Sequence, residues 1–174
     1  MKTLIVIDMQ NDFINGSLGT KEAQAIVPNV AEKLRLWPIQ DKLYFTRDTH
    51  GFNYKNTLEG KMLPTVHCIK NSGGWCIIDE LLPYAENARV IDKETFGYRM
   101  WYNGYELDKS DEIHLCGVCT DICVVSNALA LRMFYPNTKI VVDASCCAGT
   151  TPENHKAALA VMKSCQINVI GEEL

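Results

Sequence analysis

The chain has 174 residues, of which 47% are hydrophobic and 22% charged, the balance of a globular domain able to bury roughly 70% of its unfolded surface; disorder and low complexity are excluded. The formal net charge of −4 excludes the broad basic surface that drives non-specific binding to nucleic acid or anionic membranes, which leaves small molecules as the expected partners. No apolar run approaches the ~20 residues that span a bilayer, and the stretch from Met1 meets Asp8 too early for a signal peptide, so a cytoplasmic protein with reduced cysteines is expected.

Leu4–Asp8 is a continuous branched apolar run closing on an aspartate, the pattern of a strand buried on both faces of a parallel sheet. From Glu22 to Leu36, apolar residues recur at Ala23, Ile26, Val27, Val30, Ala31 and Leu34. That spacing predicts an amphipathic helix, ended by Trp37-Pro38. Strands are predicted over Lys42–Arg47, Ala88–Ile91 and Glu112–Cys116, then a helix over Thr120–Phe134. A strand over Lys139–Val142, a helix over Pro152–Lys163 and a last strand over Ile167–Ile170 complete the series. Six strands separated by crossovers long enough for helices predict an α/β fold, a three-layer α-β-α arrangement around a six-stranded parallel sheet, with residues 1–174 as one domain. Asp48 to Trp75 carries no period, and a loop that long in a compact domain is commonly functional.

In such sheets ligands sit at the carboxyl ends of the strands, near the point where strand order reverses. Asp8 ends the first strand, Asp48 and His50 follow the second, Lys93 follows the third, and Cys119 and Cys123 follow the fourth. All fall on one edge of the sheet. A cation and a helix N-terminus both lower a thiol's pKa from about 8.5, so Asp8, Lys93 and Cys123 are a candidate nucleophile with its activators. The N–H groups of the same turn, at Cys119 and Cys123, are candidates to hold an oxyanion. Taken singly, each residue has an ordinary explanation: a cap, a solvated lysine, a small core side chain. Joint placement is what favours chemistry.

Asp48-Thr49-His50 puts a carboxylate and an imidazole on one side of an extended backbone, and His67 returns from the same loop. One carboxylate with two imidazoles suits zinc, iron or manganese, with water in the open positions, although turn capping is the more ordinary explanation of so loose a spacing. Cys116-Gly117-Val118-Cys119 has the spacing of a redox C-x-x-C motif, but it lies in the fourth of six strands, where core packing is the expectation. Cys146-Cys147 is too close-set for two ligands of one zinc. His114 reads as a satisfied sheet residue and His155 as a surface one.

The segments Leu4-Ile5-Val6-Ile7-Asp8-Met9-Gln10-Asn11-Asp12-Phe13, Lys93-Glu94-Thr95-Phe96 and Gly117-Val118-Cys119-Thr120-Asp121-Ile122-Cys123-Val124 resemble, in order and spacing, the three signatures of the isochorismatase-like cysteine hydrolases. The resemblance implies the six-stranded sheet, a catalytic Asp8, Lys93 and Cys123, and an oxyanion hole at Cys119 and Cys123 with a cis peptide before it. Cys123 points away from the isochorismatase branch, which lacks the thiol, and toward the amidohydrolases. Arg47-Asp48-Thr49-His50 and His67-Cys68 resemble the metal segments of nicotinamidases. That likeness implies Asp48, His50 and His67 as ligands of a divalent metal, zinc with iron or manganese as alternatives. It further implies Phe13 as a wall of the substrate pocket, nicotinamide as the amide hydrolysed in NAD salvage, and a homo-oligomer.

Two positions depart from the pattern. Tyr54 stands where many nicotinamidases have another histidine, and Leu63-Pro64 where they have Trp-Pro, which leaves the second aromatic wall open among Trp75, Tyr98 and Trp101. The alternatives are a related amidohydrolase acting on another small amide or ureide without the metal, and a non-enzymatic redox-responsive binding module. Cys119, so near Cys123, is a candidate redox switch that would turn the enzyme off through a disulfide with Cys123.

Overall fold

In the computed structural model, which describes residues 1–103 and 107–172, the N-terminal apolar run forms β1 (Lys2–Ile7), with Leu4, Ile5, Val6 and Ile7 fully buried. A central parallel strand demands this, because helices cover both of its faces. There follow α1 (Asn11–Ile14), α2 (Lys21–Ala25), α3 (Val27–Leu36), β2 (Lys42–Asp48), α4 (Leu58–Met62), α5 (Leu82–Ala85) and β3 (Arg89–Lys93). The second half holds β4 (Glu112–Val118), α6 (Val125–Phe134), β5 (Lys139–Ala148), α7 (Pro152–Ser164) and β6 (Asn168–Ile170). Every pairing is parallel, in the order β3-β2-β1-β4-β5-β6. The expected six-stranded parallel sheet is therefore present.

The chain winds outward from β1 to β3, returns to the other side of β1 at β4, and winds outward again to β6. Right-handed crossovers then put α3 on one face and α6 and α7 on the other, which makes the three layers. Strand order reverses between β1 and β4, so the crevice at their carboxyl ends is the ligand position of this architecture. Gly117 is what lets those two ends lie so close. It has φ +116°, and a Cβ there would sit 2.1 Å from the Ile7 carbonyl oxygen, so no other residue fits.

Several boundaries differ from expectation for identifiable reasons. The helix expected over residues 22–36 is two, because Pro28 has no N–H to give the Gln24 carbonyl and the chain breaks at Ile26. The strand expected to stop at Val142 runs on to Ala148. Asp143 and Ser145 hide that extension in the sequence. Asp143 pairs with Lys33 at 2.7 Å and accepts from the Ser145 hydroxyl at 2.7 Å, while Ala144, Cys146, Cys147 and Ala148 are buried. The helix expected from Thr120 opens as a π-helical turn over Thr120–Val124, in which the Val124 N–H donates to the Cys119 carbonyl at 3.0 Å. Helices α1, α4 and α5 are single turns, too short for a periodic signal.

Candidate active site

Asp8 leaves β1 in the left-handed region, at φ +49°, a conformation that aspartate tolerates better than branched residues do. Its carboxylate accepts from the Thr46 hydroxyl at 2.6 Å and pairs with Lys93 Nζ at 2.7 Å. Lys93 closes β3, opposite Asp48 in the register. Its Nζ also lies 3.5 Å from Asp48 Oδ1 and 3.5 Å from Cys123 Sγ. Cys123 comes from the π-helical turn that follows β4. Three expected site residues thus meet in the core, with the side chains of Asp8 and Lys93 wholly inaccessible and Cys123 5% exposed.

Burial pushes the Asp8 carboxyl up; Lys93 opposes the rise and Asp48 adds to it. For Lys93, burial favours the neutral amine, but the charges of Asp8, Cys123 and Asp48 outweigh it and raise the ammonium's pKa. Burial also pushes the Cys123 thiol well above its ordinary value, with Lys93 opposing and Asp8 reinforcing. This corrects the expectation of a thiol lowered by a cation and a helix end. Desolvation wins because the single ammonium is already shared with two carboxylates. Cys123 is therefore held as a thiol rather than a thiolate.

The second cluster adjoins the first through Asp48. Asp48 Oδ2 lies 2.8 Å from His50 Nε2 and 3.5 Å from His67 Nε2, as sequence spacing suggested. A fourth residue joins them: Glu59 Oε1 lies 3.5 Å from His50 Nε2 and 3.8 Å from His67 Nε2. One donor atom from each of the four lies within 4.8 Å of the rest. His67 Nδ1 faces the Thr65 carbonyl at 2.9 Å. A carbonyl only accepts, so a neutral ring carries its proton on Nδ1 and turns the Nε2 lone pair to the cluster. His50 Nε2 is buried without a hydrogen bond although Asp48 Oδ2 lies 2.8 Å away. Two carboxylates and two imidazoles so placed fit a divalent ion. Burial pushes Asp48 up, but His50, His67 and Lys93 outweigh it and hold the carboxyl far below its usual range. Glu59 is raised by burial and by Asp48.

Sequence reasoning missed Glu59. It lies on α4, whose five residues show no period and whose start is marked only by Thr57, the hydroxyl of which accepts from the Gly60 N–H at 3.0 Å. Tyr54, at the position of the missing histidine, is buried with its ring centroid 4.6 Å from that of His50 and 5.0 Å from that of His67. Its hydroxyl donates to the Leu63 carbonyl at 2.8 Å.

Of the aromatic candidates, Phe13 has its ring centroid 5.6 Å from that of His67, at the edge of the metal-type cluster. Trp101 is fully buried and bonded to Asn127, so it is core rather than wall. Trp75 lies under the Arg47 guanidinium at 3.6 Å and donates to the Thr49 hydroxyl at 2.8 Å. Tyr98 lines a cavity of about 520 Å³ together with His50, Lys93, Met100 and Tyr102. All eight cysteines are free. Cys116 is buried on β4, and Cys119 is half-buried after a cis Val118–Cys119 peptide. His114 is satisfied only at Nε2, 2.7 Å from Glu112, while its Nδ1 is buried without a partner. His155 is tied to the Thr120 hydroxyl at 2.8 Å.

A parallel sheet whose switch point carries an acid, a lysine and a cysteine is the framework that the sequence signatures implied. Residues 2–173 match the isochorismatase domain, and the chain belongs to the isochorismatase family. Among its relatives is the nicotinamidase of Saccharomyces cerevisiae, 25% identical over 98% of this chain and 99% of that protein. A protein of Arabidopsis thaliana described as a probable inactive nicotinamidase is 30% identical over 92% of this chain and 87% of its own. The crystal structure of the pyrazinamidase of Pyrococcus horikoshii in complex with zinc aligns with a TM-score of 0.82 at 28% identity, covering 98% of this chain and 99% of that one.

Proposed function

We propose that the chain, acting as one domain, is a cysteine amidohydrolase that converts nicotinamide to nicotinate and ammonia through a thioester on Cys123. The observation that carries this reading is the buried contact series in which Lys93 Nζ lies 2.7 Å from Asp8 Oδ2 and 3.5 Å from Cys123 Sγ. Asp8 takes the thiol proton and Lys93 holds the thiolate while sulfur attacks the amide carbon. The backbone N–H groups of Cys119 and Cys123 stabilise the tetrahedral oxyanion, a donor of this kind being worth about 3 kcal/mol. The carbon–nitrogen bond then breaks as Asp8 passes its proton to the leaving ammonia. Asp8 next takes a proton from water, the hydroxide opens the thioester, and that proton returns to the sulfur. Burial raises both the Asp8 carboxyl and the Cys123 thiol, and a more basic Asp8 is the better acceptor of the thiol proton.

Asp48, His50 and His67, joined by Glu59, would hold a divalent metal, and zinc is the ion of the related pyrazinamidase structure. When bound, the metal supplies a Lewis acid to anchor the ring nitrogen of the substrate. Phe13 and Tyr98 flank the ring. The same reading takes the enzyme to be cytoplasmic, self-associating and part of NAD salvage, which cell fractionation and sedimentation would test.

The deciding experiment is ammonia release from nicotinamide by the parent and by Cys123→Ala. Release by the parent alone supports the nucleophile, reaction and substrate together. The probable inactive nicotinamidase among the relatives favours one rival, a binding protein without turnover. Equal background from both proteins, with no selective alkylation of Cys123, would establish that rival.

A further inference from the structure

Asn127 sits on α6, one turn beyond Cys123, and is fully buried. Its side-chain oxygen accepts from the Tyr98 N–H at 2.9 Å and from the Trp101 indole N–H at 2.7 Å. Its side-chain nitrogen donates to the Phe96 carbonyl at 3.1 Å and to the Cys123 carbonyl at 2.7 Å. Two donors face the oxygen and two carbonyls face the nitrogen, so the orientation of the amide is dictated by its partners and its hydrogen-bonding capacity is filled. One of these four bonds goes to the nucleophile. The other three go to the segment that follows Lys93 and carries Tyr98, Met100 and Tyr102 to the cavity.

We propose that Asn127 is a positioning residue, one that locks the Cys123 turn to the Phe96–Trp101 segment and so sets the nucleophile against both Lys93 and the substrate wall. Lys93 Nζ reaches Cys123 Sγ at 3.5 Å, and those two residues stand on separate elements, β3 and the turn after β4. Asn127 ties the segment leaving β3 to that turn. No aliphatic side chain reproduces this, since all four bonds would be lost, two of them, to Trp101 and Cys123, in buried surroundings. The proposal rests on the amidohydrolase reading given above.

Two variants break the four bonds in different combinations. Asn127→Asp keeps the acceptor for Tyr98 and Trp101 but loses both donors and sets a carboxylate against the Cys123 and Phe96 carbonyls. The expected result is a kcat for nicotinamide at least tenfold lower per titrated Cys123 thiol, with KM within threefold of the parent. Asn127→Ser retains a hydroxyl for the Cys123 carbonyl one turn back but cannot reach the 96–101 segment. There KM is expected to rise at least tenfold with kcat within threefold. A role confined to stability would lower the melting temperature and the fraction of titratable thiol in both variants while leaving kcat and KM per thiol unchanged, and values within twofold of the parent in a folded variant overturn the proposal. If Asn127→Asp does not fold, Asn127→Ser decides alone.

The rate of Cys123 alkylation by iodoacetamide at a fixed pH separates this proposal from the substrate assignment. A parent that alkylates selectively but releases no ammonia removes nicotinamide. Variants that alkylate at least threefold more slowly or faster than that parent still support the clamp, and equal rates overturn it.

Discussion

The two clusters meet where Lys93 Nζ lies 3.5 Å from Asp48 Oδ1, yet they are built by different means. Asp8 and Lys93 stand at strand ends and Cys123 in the turn directly after a strand, so sheet register fixes their separations. The other cluster takes only Asp48 from the sheet. His50, Glu59 and His67 come from a loop closed at its base by the His50 N–H donating to the Cys68 carbonyl at 2.9 Å and the Lys70 N–H donating to the His50 carbonyl at 2.9 Å. Between those ties Phe52, Leu58 and Met62 are exposed. Buried opposite charges need the rigid frame, because a carboxylate and an ammonium out of water tolerate little drift in their separation. Ligands of an ion tolerate a looser one, because the ion itself draws them together.

Lys93→Ala breaks the strand-end cluster and is expected to have the largest effect. It removes the thiolate's only adjacent cation among the described residues, and kcat/KM is expected to fall roughly 10³-fold or more, at the scale of a lost acid–base partner. It also strands Asp8 without its counter-ion, at a cost of about 3–5 kcal/mol in urea unfolding. Glu59→Gln is the matching change in the loop. Metal affinity is expected to drop at least ~10–100-fold, measured by competition with a chromogenic chelator. The unfolding free energy of metal-free protein should move by no more than ~0.5 kcal/mol. A large loss of metal-free stability in Glu59→Gln would erase the distinction between the two regions.

The pH profile sharpens the same contrast. In the proposed mechanism Asp8 is a base only when ionised, and burial raises its pKa above the ordinary carboxylate value. Activity is therefore expected to be lost as pH falls through that raised value. Glu59 is raised as well, so the acid limb of kcat/KM should be followed in both the parent and Glu59→Gln at saturating metal. An unmoved limb assigns it to the strand-end cluster, and a limb that shifts with Glu59 assigns it to the loop.

Legibility in the sequence divides along the same line. Asp8, Lys93, Cys119 and Cys123 were readable because strands end where branched apolar runs end, and parallel topology sends those ends to one edge. Asp48 and His50 were readable for the same reason, and His67 because the resemblance supplied a second metal segment. Glu59 left no trace, since a one-turn helix has no period and a threonine cap followed by glutamate is ordinary surface sequence. Asn127 was hidden inside a helix whose apolar pattern gave no reason to single it out. The upward shift of the Cys123 thiol is not legible, because helix ends and cations are visible in a sequence, whereas the depth of burial that overrides them is a property of the packed core. The strand extension to Ala148 was lost to Asp143 and Ser145, whose partners, Lys33 and one another, lie off the strand's own apolar pattern.

Tyr54 gives the smallest and most pointed test, since it belongs to the loop in sequence but to the core in burial. Its ring packs against both imidazoles, and its hydroxyl ties down the Leu63 carbonyl. Tyr54→Phe keeps the ring against both imidazoles and removes a bond that goes to neither of them, so metal affinity should stay within about threefold of the parent. The metal-free protein should lose ~1 kcal/mol, the usual net value of one hydrogen bond, and lose it in local opening of residues 51–66 rather than in global unfolding. Amide hydrogen exchange of that stretch distinguishes the two. Faster exchange confined to the loop means that it opens on its own and that the metal holds shut what the sheet does not, whereas a uniform increase through β1 and β4 means that Tyr54 is core and that the loop's frame reaches further from the sheet than Asp48.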